Sequence, residues 1–254
     1  MIVYTEEELE KLAEKEGTLT DEALATLLLT LGFTERELKK EIRNFYSTYG
    51  TDGVITYQEV RKWVSAKNHT RRLYALNRII EAVFSDAFDQ FELTFKEHLL
   101  KIILNESEFF GVSVDADVIL NTGWGVDGLT WQQRLLAHRS KWESVIGNDL
   151  KISFLKKENI ADVLTQVTKR CESMEKILTR LVRTESSATS SMLRQTVYKE
   201  LGVKKYRFIH IDGCTCEKCN DMHNRVFLIS EYVVGATANP LHPNCDDTTM
   251  PVVD

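Results

Sequence analysis

Two pairs of potential metal ligands stand near the carboxyl end of this chain of 254 residues. Cys216 and Cys219 form a CxxC pair, and His242 and Cys245 form an HxxC pair, with 22 residues between the two pairs. A two-residue spacer lets both side chains of a tight turn face a common point, and two such turns complete a tetrahedral Cys3His set. Thiolate and imidazole ligands suit zinc better than calcium or magnesium. Structural zinc, reduced thiols without a metal, and a disulfide are three interpretations of this pattern.

Two further residues, Cys214 and His223, are spare candidates that could replace one of the four ligands. The first ten residues are acidic where a secretory signal would be basic and then apolar, and no stretch approaches the ~20 apolar residues of a membrane span. We therefore expect no membrane span and a protein kept in a reducing cytoplasm. That environment favours a metal or free thiols over a disulfide.

Apolar periodicity predicts a largely helical amino-terminal half. Capping-box patterns at Thr5–Glu8 and Thr34–Glu37 predict helix starts, and Gly17 and Gly32 predict helix ends, so we expect short helices here. A wide apolar stripe then runs without interruption over residues 71–105, which indicates one long, half-buried helix.

The centre of the chain is interrupted by glycine-rich turns in residues 106–130. Helices are predicted over residues 130–146, 158–167 and 169–201, and Gly202 is placed to end the last one.

Two β-forming runs follow, over residues 205–211 and 225–229, and predict a hairpin. The expected fold is mainly α, a helical bundle with long helices, with a small α+β carboxyl-terminal domain that contains the β-hairpin and a zinc knuckle. The expected division is a helical domain over 1–110, a connecting helical region over 111–168, and a long helix with the Cys/His hairpin domain over 169–254.

The net charge of −6 is unevenly distributed. Residues 169–207 contain 10 basic and 4 acidic side chains, which could face nucleic acid or could form an ordinary solvated helix face. The candidate DNA-facing residues are Lys169, Arg170, Lys176, Arg180, Arg194, Lys199, Lys204, Lys205 and Arg207.

The same predicted helix contains the sequence Arg183-Thr184-Glu185. Neighbouring residues are about 100° apart on a helix, so at most two of the three can act at one place. Two interpretations are an ion pair that ties the helix to the hairpin and a catalytic acid or base. Helix ion pairs are much the commoner.

Several motifs occur in a fixed order along the chain. They are Trp124 with Asp127-Gly128, then Arg183-Thr184-Glu185, Gly202-Val203, Cys216-x-x-Cys219, and Leu241-His242-Pro243-Asn244-Cys245. In this order they resemble the head-morphogenesis family of tailed phages, the minor head proteins similar to the F protein of phage Mu. The resemblance covers roughly residue 124 to the end. The family motif continues with arginine, whereas this chain continues with Asp246 and Asp247.

This resemblance implies a non-enzymatic virion component, assembled in the bacterial host cytoplasm and located inside the head near the portal. It implies portal, capsid or scaffolding proteins as partners, and a role in head assembly, DNA packaging or genome ejection. Two alternatives are a zinc-stabilised DNA-binding module and a phage-carried nuclease or toxin. The conceivable catalysts of such an enzyme would be His210, His223, Arg183 and Glu185.

Overall fold

The computed structural model describes residues 4–56, 69–211 and 216–252, with side chains described from residue 76 onward in the second range. Over these residues the predicted fold class is confirmed, because the described structure is 71% helical and a small antiparallel sheet lies near the carboxyl end. Cys214 and the stretch 57–68 lie outside the described residues. The described elements are α1 (Glu6–Tyr49), α2 (His69–Phe110), α3 (Ala116–Leu120), α4 (Trp131–Lys156), α5 (Ile160–Glu200), β1 (Lys205–Ile209), α6 (Glu217–Met222), β2 (Val226–Leu228), a 3-10 turn (Ile229–Glu231) and β3 (Thr248–Val252).

The short helices predicted for the first fifty residues are wrong, because α1 is one continuous helix. Its start is as predicted: the backbone amide of Thr5 donates to Glu8 at 2.8 Å, and the Thr5 hydroxyl accepts from the Glu8 amide at 3.2 Å. Thr34, by contrast, lies inside the helix and donates to the carbonyl of Thr30 at 2.9 Å. Gly17 and Gly32 are helical, with open space where a Cβ would stand. An internal glycine weakens a helix by only about 1 kcal/mol, which the buried leucines of α1 outweigh.

The two helices predicted over 158–167 and 169–201 are also one helix, α5. No glycine or proline separates them, and Thr168 lies inside the helix, where its side-chain hydroxyl donates to the carbonyl of Leu164 at 3.2 Å. Helix α4 likewise extends beyond the predicted end at Ile146 to Lys156.

The chain packs into two compact units, each assembled from separate stretches. The terminal unit consists of Met1–Ala25, Thr94–Arg134 and Leu178–Asp254, and the helical unit consists of Thr26–Leu93 and Leu135–Ile177. Four long helices, α1, α2, α4 and α5, contribute residues to both units. The sequence-based division at residues 110 and 168 uses contiguous segments and stays a prediction.

The helical unit has an aromatic core. Phe45 of α1 stacks on Phe154 of α4 with ring centroids 5.5 Å apart, and Phe88 of α2 meets Trp142 of α4 at 5.7 Å. These contacts hold the apolar stripes of the helices together.

The terminal unit contains the sheet, in the order β2-β1-β3 with both pairings antiparallel. The predicted hairpin of β1 and β2 is confirmed, and Tyr206 pairs with Phe227 across it. Strand β3 was missed because Pro251 argues against a strand interior; the proline is tolerated here since β3 is an edge strand. The buried hydroxyl of Tyr198 on α5 donates to the carbonyl of Thr249 at 2.8 Å and ties the sheet to the helix.

A search of the helices in the described part of the chain found none that is both long and apolar enough to span a bilayer.

Candidate metal centre

Four potential metal ligands converge in the terminal unit: Cys219, His242, Cys245 and Asp247. One ligand atom from each lies within 4.8 Å of all the others. Cys219 Sγ is 3.1 Å from His242 Nε2 and 4.0 Å from Cys245 Sγ, which in turn is 3.2 Å from Asp247 Oδ2. All except His242 are buried.

Local structure brings these side chains together. Cys219 lies on the short helix α6, and the other three lie in the loop that leads into β3. Asn244 adopts a left-handed conformation with φ of 58°, which asparagine tolerates better than most residues, and this folds the His242–Cys245 turn. The Cys219 and Cys245 side chains pack with Phe208 of β1 and Leu241 in a small apolar cluster.

Neighbouring groups leave the ligand atoms of His242 and Asp247 facing the centre. The carbonyl of Pro243 lies 2.9 Å from His242 Nδ1 and can only accept, so Nδ1 donates to it and Nε2 is the ring nitrogen that faces Cys219. Asp247 Oδ1 accepts from the Ile211 amide at 3.1 Å and lies 2.7 Å from His210 Nδ1, whereas Oδ2 faces Cys245. Outer hydrogen bonds of this kind orient metal ligands.

Burial opposes ionisation of both thiols. It raises the pKa of Cys245 to about 12, with the nearby Asp247 carboxylate as the second cause. The pKa of Cys219 is also raised, again chiefly by burial. A bound cation reverses this preference, because a thiol that coordinates a metal loses its proton.

The donor set fits a tetrahedral metal ion. Metal–sulfur bonds of about 2.3 Å arranged tetrahedrally place the sulfurs about 3.8 Å apart. The separation of Cys219 and Cys245 is 4.0 Å. The donors are two sulfurs, one imidazole nitrogen and one carboxylate oxygen, so the cluster could hold a metal ion.

The structure brings together three of the four ligands predicted from the sequence. Cys216 packs against the same apolar cluster but lies outside the group of four, and Asp247 stands in its place. His223, a predicted spare ligand, is exposed, and its Nδ1 accepts from the His210 amide at 3.1 Å. The sequence signal for Asp247 was its position two residues after Cys245.

Glu185 is a buried acidic residue of the terminal unit, and only 2% of its side chain is exposed. Arg134 Nη1 donates to it at 2.8 Å, and the indole nitrogen of Trp124 donates to it at 2.8 Å. Burial raises the pKa of Glu185 despite these hydrogen bonds. The predicted ion pair therefore exists, but it ties α5 to the first turn of α4 and not to the hairpin, while the Trp124 contact ties α5 to the loop before α4. Arg134 was missed by the sequence analysis, because no short motif contains it.

Arg134 also organises the loop of the Trp124–Gly128 motif. Its guanidinium lies 4.4 Å from the Trp124 ring centroid, donates to the Trp124 carbonyl at 2.7 Å, and contacts Asp127. A Cβ on Gly123 would stand 1.9 Å from the Gly128 carbonyl oxygen, so the close approach of the two loop ends requires glycine at residue 123.

The other two residues of the Arg183-Thr184-Glu185 motif point to different places. Thr184 accepts from the amide of Asn244 in the metal-centre loop at 3.2 Å. Arg183 donates to Asp21 of α1 at 3.1 Å, and both side chains are substantially exposed. The motif thus contacts three separate stretches of the terminal unit.

Arg194, predicted to face DNA, is in fact only 1% exposed. Its guanidinium lies 2.5 Å from Glu106 and 3.8 Å from Glu16. The pKa of Glu16 is raised well above its ordinary value, first by burial and then by the Glu106 charge. A buried guanidinium requires such partners, and it is unavailable to nucleic acid.

The remaining candidate DNA-facing residues have mixed surroundings. Arg170 pairs with Asp149 at 2.6 Å, and half-buried Arg207 lies 3.4 Å from Glu6. Lys205 is partly buried in β1. The exposed basic residues of the set are Lys169, Arg170, Lys176, Arg180, Lys199 and Lys204.

Comparison of the sequence with family profiles and curated proteins, and of the structure with solved structures, found no match.

We expect Arg134→Met to lower the free energy of unfolding by about 2 to 4 kcal/mol, because it leaves the Glu185 carboxylate buried without its cation. The matched control is Arg139→Met, which removes a less buried pair with Glu143 and should change stability by less than about 1 kcal/mol. Urea unfolding of both variants measures the difference. Equal effects would contradict the assigned importance of the buried pair.

The pH dependence should change in the same variant. Since the folded-state pKa of Glu185 is raised, its contribution to stability is greatest below the ordinary glutamate pKa and declines as pH rises through the folded-state pKa. Arg134→Met should steepen this decline. An unchanged slope of stability against pH would show that Arg134 does not hold the Glu185 charge.

Proposed function

We propose that this chain is a minor head protein of a tailed phage or prophage, placed inside the head near the portal and assembled in the host cytoplasm. In this proposal it acts in head assembly, DNA packaging or genome ejection by binding portal, capsid or scaffolding proteins. No reaction is assigned to it.

One observation carries the proposal: motifs far apart in sequence, which together resemble the head-morphogenesis family, meet in one compact unit. Glu185 contacts Trp124, and its neighbour Thr184 contacts the loop that holds His242 and Cys245. These contacts give the motif residues structural roles, in a buried ion pair and in the loop of the metal centre. A protein that acts by docking to other proteins needs such residues to maintain its fold and does not need them to catalyse a reaction.

We further propose that the metal is zinc and that it is structural. Two thiols and an imidazole favour zinc over harder cations, and four protein donors leave no open position for a reacting water. A bound zinc ion would stabilise the sheet, since a three-stranded sheet with so small an apolar core gains folding free energy from a structural metal.

We expect about one zinc per chain in protein purified without chelator, and less than about a tenth of that after Cys219→Ser together with Cys245→Ser. Asp247→Asn should weaken zinc binding more than Cys216→Ser does, because Asp247 belongs to the group of four. Cys171→Ser is the control, since Cys171 is a buried cysteine of the helical unit. Elemental analysis measures the zinc. Full zinc in the double variant would refute the site.

Incorporation into phage heads tests the function directly. Tagged chain, expressed with the portal and major head proteins of the same phage genome, should appear in purified heads at a fixed copy number. The Cys219→Ser and Cys245→Ser double variant should be lost from heads, whereas Cys171→Ser should be retained. Quantitative mass spectrometry of the heads provides the readout. If heads assemble while the wild-type chain is co-expressed, and yet do not contain it, the proposal is disproved.

Binding of packaged double-stranded DNA is a second candidate, favoured by one stripe on α5. Lys169, Lys176 and Arg180 are exposed and share a helix face because they are seven and four residues apart. The stripe spans about 16 Å of helix, long enough to contact several phosphates.

Replacing all three stripe residues with glutamine should weaken binding to duplex DNA and reduce the slope of log affinity against log salt by about 2 to 3. The control replaces the exposed Lys15, Lys101 and Lys141 with glutamine, which removes the same charge elsewhere. Fluorescence anisotropy at several salt concentrations measures both. Identical slopes in the two triple variants would exclude the stripe as the DNA contact.

A further inference from the structure

The terminal unit contains a cavity of about 530 Å³. Its walls come from residues 10–21 of α1, residues 183–194 of α5, residues 239–247 of the loop before β3 and Thr248 at the start of β3, together with Ile102 of α2 and Ile211 after β1. Sites for small molecules in proteins typically measure about 300 to 1,000 Å³. The cavity is therefore large enough for an organic ligand, which the proposed head-assembly role does not account for.

The lining of the cavity is acidic. Six carboxylate side chains and two arginines contribute to it. On α1 the acidic residues Glu10, Glu14 and Asp21 are exposed at one face of the helix, and Gly17 lies between them and leaves the space open. Both arginines already have their charges matched, Arg194 by Glu106 at 2.5 Å and Arg183 by Asp21 at 3.1 Å, so Glu10 and Glu14 carry the unmatched charge of α1. The remaining negative charge favours a cationic ligand.

Three residues of the cavity lining also contain a buried polar atom that lacks a partner. Within the described residues, no hydrogen-bond partner is present for Thr248 Oγ1, Asn239 Oδ1 or Glu16 Oε1. Thr248 is 1% exposed and Asn239 is 2% exposed, so bulk water does not freely solvate them. A buried polar atom without a partner costs about 1 to 3 kcal/mol. All three atoms can accept a hydrogen bond, so a ligand that donates hydrogen bonds could satisfy them.

The arrangement suits an extended cation better than a metal ion. A metal requires several oxygens converging at about 2.0 to 2.6 Å. In the described part of the chain, the group of acidic, histidine and cysteine side chains close enough to share an ion is the one around Cys219, and the cavity carboxylates do not form another. Ala13 and Ile102 add apolar surface to the lining, which suits methylene groups.

We propose that this cavity binds a small aliphatic molecule with two or more ammonium groups. One ammonium lies against the α1 carboxylates, and another donates to the unpartnered oxygens of Thr248 and Asn239. The methylene chain between them contacts the apolar wall.

Spermidine is the probe for the first test, with the full chain in calorimetry at fixed salt. We expect saturable binding of about one molecule per chain, weakened about tenfold by Glu10→Gln with Glu14→Gln. The control, Glu172→Gln with Glu175→Gln, removes the same charge from exposed positions of α5 outside the cavity and should leave affinity unchanged. Equal weakening in both double variants would overturn the proposal, since it would indicate general counterion attraction.

A second variant tests the buried end of the cavity. Thr248→Val removes an unpartnered hydroxyl at nearly constant volume, so it should leave the ligand-free chain as stable as before, or more stable, while weakening spermidine binding about threefold or more. Undiminished affinity in this variant would overturn the proposal. So would butylamine binding as tightly as spermidine, because a single ammonium would then suffice.

Discussion

Helix α5 carries charged side chains into the interior of the terminal unit, and each requires a partner from another part of the chain. Glu185 is matched by Arg134, and Arg194 is matched by Glu106 and Glu16. A charge taken out of water without such a partner destabilises a fold by several kcal/mol. The buried charges of α5 therefore fix the positions of the stretches around Glu16, Glu106 and Arg134 more strictly than apolar packing alone would.

The same helix holds the loop of the metal centre at two points. The side-chain amide of Asn239 donates to the Ser187 hydroxyl at 2.9 Å, and the amide of Asn244 donates to Thr184 at 3.2 Å. His242 lies between these anchors, and Cys245 follows directly. A donor set held in this way needs little rearrangement to bind an ion, so less binding free energy is lost to ordering the loop.

The sequence predicted the helical class, the β1–β2 hairpin and three of the metal-centre donors, because each depends on local spacing. It failed where distant residues decide the outcome. No residue near Gly17 indicates that burial of the α1 leucines keeps the helix continuous at this glycine. No residue near Arg194 indicates that its side chain is buried against Glu106 and not exposed to solvent. The path of the loop into β3 places Asp247 in the donor group, whereas Cys216 lies beside that group. No two-residue spacing encodes that path.

The discontinuous make-up of the terminal unit limits how the protein can be divided. A fragment beginning at residue 169 would contain the sheet and all four metal donors, yet it would lack Glu16, Glu106 and Arg134. Arg194 and Glu185 would then have to be solvated, and α5 could no longer bury that face. Since Ser190 and Glu16 are 174 residues apart, closing this unit also requires long loops to be ordered before their contacts form, which is typical of slow folding. The fragment that begins at residue 169 therefore depends on the rest of the chain, and we expect that it does not fold when it is fused alone to another protein.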